Sequence, residues 1–404
     1  MERTDILISG GGIAGLAAAA AFGAAGFRTL LVDPAPPVTD ATAEGADLRS
    51  TAFLQPARDF LARAGLWDRL APHATALRVM RIIEAGETAP EPRITRDFEA
   101  SEIGSDAFGW NFPNWLLRRE MVARLKDLAD VTFLPGTGLA GLLLRDSEAR
   151  VTLTDGRPVS ARLVIAADGR GSPARAAAGI GVRTFRYGQK AVVFAVTHPE
   201  PHRNISTEVH RSGGPFTLVP LPDHGGRPCS AVVWMEDGPE VLRLAGLAVA
   251  DFEHAATARS AGVQGPLTLV SRRQVWPIIS QLADRLTAGR LALVAEAAHV
   301  VQPIGAQGLN MSLRDVATLL DLAIADRARL GDRPMLDGYA RARRPDMVMR
   351  LAGIDALNRA SQAEAPLLRN LRGAGVQVLH GLAPLRRALM HLGLGAAPGR
   401  KTGD

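Results

Sequence analysis

The sequence predicts an α/β fold in which a doubly wound domain is interrupted by a mainly antiparallel β-sheet domain and followed by a C-terminal helical region. Three observations predict it. The first 33 residues read as strand, Gly-rich turn, helix and strand, with Ile6 to Ile8, Gly10 to Gly15, an alanine-rich run to Ala25, and Thr29 to Val32. Nearly 300 residues later, Arg290 to His299 and Pro303 to Asn310 read as a second strand and Gly-rich turn leading into a helix, without the glycine spacing of the first. Between them, from Gly181 to about Arg273, the pattern changes to short alternating runs between Gly/Pro turns, the signature of antiparallel strands. The expected division is 1–75, 110–180 and 285–345 for the doubly wound domain, 76–109 and 181–284 for the inserted sheet domain, and 346–404 for the helical region.

The first unit has a chemical reading. Gly10, Gly12 and Gly15 fit Gly-x-Gly-x-x-Gly between a strand and a helix, the context that separates a dinucleotide fingerprint from a chance match. Gly10 allows the tight turn, Gly12 lets backbone amides approach a pyrophosphate, and Gly15 lets the helix pack close on the strand. The helix start at Ile13 and Ala14 turns partial positive charge toward the anion. Asp33 ends the second strand 18 residues after Gly15, where an acid accepts hydrogen bonds from the hydroxyls of an unphosphorylated adenosine ribose. This Rossmann-type motif by itself fits FAD and NAD equally.

Composition narrows the class. With 404 residues, 47% of them hydrophobic and 22% charged, the chain is long enough for two domains with a large core. Every apolar run is broken well before the roughly 18 residues a membrane span needs. The first strand follows directly on Glu2-Arg3-Thr4, with no signal-peptide pattern, so the expected location is the cytoplasm. The single cysteine, Cys229, excludes an internal disulfide framework and a thiolate metal cluster. The net charge of +6 is concentrated after Pro366, where six basic residues face Asp404 alone. That tail contains no Phe, Tyr or Trp, and nucleic-acid binding would want basic residues interleaved with aromatics.

In chain order, a Pro/Thr-rich loop after Asp33 leads to Asp47-Leu48-Arg49-Ser50 and then to a helix expected through Phe53, Phe60 and Leu61. Arg49 stands where a cation meets a pyrophosphate from the far side, or is a solvated loop arginine. Asn114 to Arg118 begins a helix through Met121, Leu125 and Leu128 at helical spacing. Leu163 to Ala167 is a buried strand that ends at Asp168-Gly169, followed by Ser172 and Arg175, and a strand terminus at the edge of such a sheet is where ligands bind. Arg290 to His299 reads as one buried parallel-type strand ending in an acid, Glu296. Gly308, Leu309 and Asn310 open the next helix, with Met311, Leu313, Val316, Leu319 and Leu320 on its apolar face. Because this second unit lacks Gly-x-Gly-x-x-Gly, it fits the far end of a long ligand whose adenosine lies on the first unit, which favours FAD over NAD.

At these residues the chain resembles the class A flavoprotein aromatic hydroxylases of the para-hydroxybenzoate hydroxylase fold, and within them the ubiquinone-biosynthesis hydroxylases of the UbiH/UbiF type. The resemblance rests on Gly10 to Gly15, Asp47-Leu48-Arg49, Asn114 with Arg118, Asp168-Gly169 with Ser172 and Arg175, and the late strand-to-helix motif. Tyr187-Gly188-Gln189, Gly214 to Leu221 and Pro384 to Met390 extend it over nearly the whole chain. It implies FAD contacts at Gly10, Gly12, Ile13, Ala14, Gly15, Asp33, Arg49, Arg118, Asp168, Glu296, Gly308, Leu309 and Asn310. It also implies NAD(P)H as electron donor, O2 as co-substrate, and hydroxylation of a polyprenyl-phenol ring through a C4a-hydroperoxyflavin. Two departures stand out. The family has Gly-Asp where this chain has Ala295-Glu296, and Ala-Gly-Gln-Gly where it has Gly305-Ala306-Gln307-Gly308. The first is expected to weaken flavin binding without abolishing it, and the second to leave the loop intact.

No residue stands out as a required acid or base, and His299 is left without a catalytic role because packing explains it equally well. Two other readings compete with the ubiquinone hydroxylase. One is a hydroxylase of a soluble aromatic metabolite, and the other is a flavin-poor accessory protein of a quinone-synthesis complex. After Pro366, leucines recur among arginines in two helical stretches separated by Gly381 to Pro384. Such helices either contact the inner face of the membrane or a quinone-synthesis complex, or cap the core, since both uses share one amphipathic period.

Overall fold

The computed structural model of the chain describes residues 1–86, 92–211, 214–361 and 383–394. Strand β1 (Glu2–Ser9) lies in the middle of the first sheet, with Ile6, Leu7 and Ile8 fully buried. A strand covered on both faces reads as a continuous apolar run rather than an alternation, as this one does. Helix α1 (Ile13–Ala24) follows it, and β2 (Thr29–Asp33) returns parallel beside it. Beyond β2 lies Val131–Pro135, also parallel. On the other side of β1 come β3 (Pro158–Ala166) and then β4 (Leu291–Leu293), both parallel. The chain therefore winds outward from β1 in one direction and later restarts beside it in the other. The carboxyl edge between β1 and β3 is the switch point where doubly wound sheets bind their ligands.

Alanine and glycine explain how α1 sits. Residues Ile13 to Gly23 are all buried, and a Cβ on Gly23 would lie 2.2 Å from Val131 Cγ2. A helix that is apolar all round must be covered on every side. The helix Asn114–Lys126 and helix α2 (Gln307–Ala325) pack on it, and α3 (Arg333–Ser361) packs in turn on α2.

The second sheet has nine strands and is antiparallel except where Ile205–His210 pairs with Val79–Ala85. Period-two alternation gives it two apolar faces. Val192 and Phe194 join Phe216, Trp234 and Phe252 in a core covered by the helices Gly238–Gly246 and Val249–Arg259. On the other face Val193, Met235 and Ile278 pack with Trp276 and with Ile304 of the second Gly-rich loop. A small third sheet joins Ser50–Leu54, Thr75–Leu77 and Gly109–Pro113.

The α/β class holds, with three local corrections. Phe53 lies in the strand Ser50–Leu54, and the helix begins only at Gln55, because antiparallel pairing with Gly109–Pro113 captures the preceding residues. The expected strand through Arg290 to His299 is short: β4 ends at Leu293, a 3₁₀ turn spans Ala295–Ala297, and His299–Val300 pairs with Gln281 and Leu282 of the second sheet. The expected boundary between residues 345 and 346 falls inside α3, which carries Pro345 without ending there. Of the two C-terminal helical stretches, the first lies outside the described residues, and the second is α4 (Ala383–Leu394).

Candidate cofactor and active site

Three loops lie side by side at the carboxyl edge of the first sheet. Backbone bonds knit them, with the Gly10 amide donating to Val32 O at 2.8 Å, Ala167 N to Ser9 O at 2.8 Å, and Val294 N to Ala166 O at 3.0 Å. The Gly-rich turn, the Asp168-Gly169 turn and the Ala295–Ala297 turn thus meet in register.

In the first loop the glycines separate by role. Gly10 has φ +109°, and a Cβ there would lie 2.4 Å from Ala167 O. A Cβ at Gly15 would sit 1.8 Å from Gly10 O, so the helix can approach the turn only as glycine. Gly12 is different, since its Cβ would meet nothing within 4 Å. Packing therefore does not require glycine there. Gly12 caps α1 without a side-chain bond and no acid occupies the first turn, so the amides at Ile13 and Ala14 keep their attraction for an anion. Asp33 reaches back to this loop, accepting from the Gly11 amide and from Ala35 N at 2.8 Å. Those bonds fix the carboxylate and leave acceptor capacity on it.

Asp47, which is buried, gathers the middle motifs. Its carboxylate accepts a two-point bond from Arg49, Nε and Nη2 each at 2.8 Å, together with Asn114 Nδ2 at 3.0 Å and Arg118 Nη2 at 3.4 Å. Burial opposes its ionisation, but the Arg49 and Asn114 hydrogen bonds and the charge on Arg118 hold the carboxyl below the usual range. Arg49 also stacks on Trp276 of the second sheet, 4.2 Å from the ring centroid, and feels the charge of Glu296. Arg49 is therefore a clamped cation at the joint between the two sheets.

Asp168 accepts from Ser9 Oγ at 3.3 Å and Ala174 N at 3.1 Å through one oxygen. Its other oxygen is buried and has no hydrogen-bond partner among the described residues, and burial raises the carboxyl above its ordinary range. An orphaned buried acceptor of this kind fits a ligand that brings the missing donor. Ser172 and Arg175 act on Asp168 electrostatically and also hold the loop. Ser172 caps the short helix Pro173–Ala177, and Arg175 donates to Ala297 O at 2.8 Å, tying this loop to the third one.

The third loop is the one the sequence reading describes least well. Ala295 and Ala306 both adopt left-handed backbone, φ +55° and +54°. These are the places where this chain departs from the glycine of the family pattern, and a non-glycine residue there costs about 1–2 kcal/mol. Glu296, between Ala295 and Ala297, is exposed. Ala306 caps α2 without a side-chain bond, leaving the amides at Gly308 and Leu309 as a second anion-attracting end. Asn310 plays another part. Its side chain accepts from Leu54 N at 2.8 Å and donates to Ala52 O and Ala306 O, so it binds the strand Ser50–Leu54 to α2 and has little left for a cofactor.

Sequence reasoning missed what lies beneath this loop. Asp315 is fully buried and accepts from Ala295 N at 3.2 Å, His299 Nε2 at 2.7 Å and Arg343 Nε at 2.8 Å. Arg343 continues to Asp346 at 2.8 Å, Arg350 bonds Asp346 at 2.9 Å, and Arg350 donates to Gln307 Oε1 at 2.7 Å. His299 thus has a partner, as a hydrogen-bonded packing residue does. A carboxylate at 315, on the stripe shared by Met311 and Leu319, was the available signal.

Helix α4 closes over the same end. Met390 packs with Leu54 and Phe108, Arg386 pairs with Glu102, and Gln307 Nε2 donates to Gly393 O at 3.0 Å. At these residues the helix caps the core, and Arg386 is engaged by protein.

Known proteins resemble this chain in sequence and in fold. The model of the FAD binding domain family matches residues 3–351. The chain is 34% identical to the ubiquinone hydroxylase UbiL of Rhodospirillum rubrum, over 97% of this chain and 89% of that one. It is 26% identical to the 3-demethoxyubiquinol 3-hydroxylase of Escherichia coli, over 98% and 99%. Among solved structures, p-nitrophenol 4-monooxygenase PnpA of Pseudomonas putida superimposes with a TM-score of 0.80 at 18% identity, covering 99% of this chain and all of that one, a likeness of fold.

Proposed function

Because this chain belongs to the FAD binding domain family, among the flavoprotein hydroxylases of ubiquinone biosynthesis, we propose that it hydroxylates the aromatic ring of a polyprenyl-phenol ubiquinone precursor. It is an FAD-dependent monooxygenase that takes electrons from NAD(P)H and oxygen from O2. The observation that carries the reading is the meeting of three loops at one sheet edge. Gly12 stands open, Asp168 has a buried oxygen without a hydrogen-bond partner among the described residues, and α1 and α2 both begin without a side-chain cap.

When bound, FAD supplies the redox chemistry; the protein supplies binding, orientation and electrostatics. In this proposal Asp33 accepts from the adenosine ribose hydroxyls, and the amides at Gly12, Ile13 and Ala14 meet the pyrophosphate with Arg49 opposite. Arg118 supports that contact through Asp47. Asp168 and Glu296 accept hydroxyl protons along the sugar chain, and the amides at Gly308 and Leu309 stabilise negative charge at the ring end. The apolar face formed by Val193, Met235, Ile278, Trp276 and Ile304 excludes water beside the ring and suits a hydrophobic aromatic substrate.

We place the protein in the cytoplasm with peripheral contact to the inner face of the membrane or to a quinone-synthesis complex. No helix among the described residues is long and apolar enough to cross a membrane. In α4 the exposed Arg387 stays open to such contact, whereas Arg386 is bound to Glu102.

The test has two arms. The purified protein should carry yellow, FAD-type absorbance or regain it on titration, and a deletion strain should accumulate an unhydroxylated prenylated phenol detectable by mass spectrometry. Failure to bind FAD would favour the accessory-protein reading, while bound FAD with an unchanged quinone pool would favour a soluble aromatic substrate.

A further inference from the structure

The left-handed backbone at Ala295 needs a cause. Nothing in an alanine side chain favours it, and a non-glycine residue holds such a conformation only where its surroundings over-determine it. What surrounds it is specific: the Ala295 amide donates to a carboxylate oxygen of Asp315 at 3.2 Å, and that carboxylate is itself fixed from two other sides by His299 and Arg343. Both ends of the arrangement are buried, Ala295 at 6% exposure and Asp315 at 0%. The three donors arrive from different segments, a turn at the sheet edge, the strand His299–Val300 and helix α3. The carboxylate therefore cannot shift toward one without releasing another.

We propose that Asp315 is a positioning residue that locks the Ala295–Glu296 turn in its left-handed form and so aims Glu296 at the cofactor. In this chain a buried acid on α2 does for the turn what a glycine would do by its own conformational freedom. The cofactor part of the proposal rests on the flavin reading above, and the turn part stands without it.

The experiment is a double-mutant cycle of Asp315→Asn and Ala295→Gly in the full chain. One carboxylate oxygen takes both the Ala295 amide and His299 and the other takes Arg343, so asparagine must turn its NH2 either on the Ala295 amide and His299 or on Arg343, and in both orientations the amide of Ala295 loses its charged acceptor. Asp315→Asn should weaken FAD binding about tenfold by fluorescence titration, the scale of one charge-assisted hydrogen bond. Ala295→Gly in that background should restore affinity to within about threefold of the parent, because glycine adopts the turn unaided. A purely structural role for Asp315 would not be rescued from position 295.

Equal effects of Ala295→Gly in both backgrounds would overturn the proposal. The same cycle read by thermal unfolding of the apoprotein keeps the two readings apart. If the parent fails to bind FAD the flavin reading falls, and non-additive melting temperatures still support the turn. Should Asp315→Asn not fold, hydrogen exchange of the 294–298 segment in the parent decides: protection matching that of β4 supports the lock, and exchange at the rate of open turns overturns it.

Discussion

At Gly10 to Gly15 the backbone is held by what is missing from it, whereas at Ala295 to Gly308 it is held by what is attached to it. Both units connect a parallel strand to a helix whose N-terminus has no side-chain cap. The first puts glycine at each crowded or left-handed position, so its shape is set by sterics and needs no partner side chain beyond Asp33. The second puts alanine at two left-handed positions and surrounds them with polar bonds. Asp315 grips the Ala295 amide, and Asn310 accepts nothing from Ala306 but donates to its carbonyl. Sterics are local and cheap to specify in sequence. A polar network draws on distant residues, and its failure by one member leaves buried groups unpaired.

Four substitutions sharpen or break this contrast. The largest effect is expected at Gly15→Ala, where the new methyl would meet Gly10 O at 1.8 Å. It should cost roughly 3 kcal/mol of stability and abolish flavin binding; a variant that melts with the parent would show that the turn can yield. Next is Asp33→Ala, which should weaken FAD binding by roughly 1.5–3 kcal/mol in a fluorescence titration, the scale of hydrogen bonds to a charged group. Affinity equal to the parent's would remove Asp33 from the ribose site. Smaller and of opposite sign is Ala306→Gly. Relief of left-handed strain should raise stability by about 1 kcal/mol by denaturant unfolding, and a loss would mean that the alanine methyl packs better than the strain costs. The smallest stability effect belongs to Gly12→Ala, whose methyl meets no protein atom within 4 Å. Unfolding should stay within about 0.5 kcal/mol of the parent while FAD affinity falls. Unchanged affinity would show that no ligand approaches there.

The contrast also explains what could be read from the chain in advance. The β1–α1–β2 unit was legible because its logic is contiguous: strand, glycines, helix and acid follow within 33 residues. Asp47, Arg49, Asn114 and Arg118 could be picked out one by one, but that they share one carboxylate is a fact of packing across some 70 residues. Asp315 stands out only as a carboxylate on an apolar helix stripe, and Arg343 and Asp346 look like ordinary helix charges until α2 and α3 are laid together. Phe53 misled for a related reason. Its local sequence suits the helix that follows, and only pairing of Phe53 with Trp110 makes it a strand residue. Ala295 and Ala306 depart from the family pattern, yet nothing in the sequence indicates that both occupy left-handed backbone.

The position of β1 has a consequence for synthesis. Its partner strand β3 begins at Pro158, and the Asn310 clamp on Leu54 joins residues 256 apart. At roughly 5–20 residues per second, the first strand leaves the ribosome on the order of ten seconds before its neighbour exists. During that interval Ile6, Leu7 and Ile8 present an unpaired apolar edge next to β2 alone. The sheet that begins first in the chain is thus completed late, once β3 and then β4 have emerged.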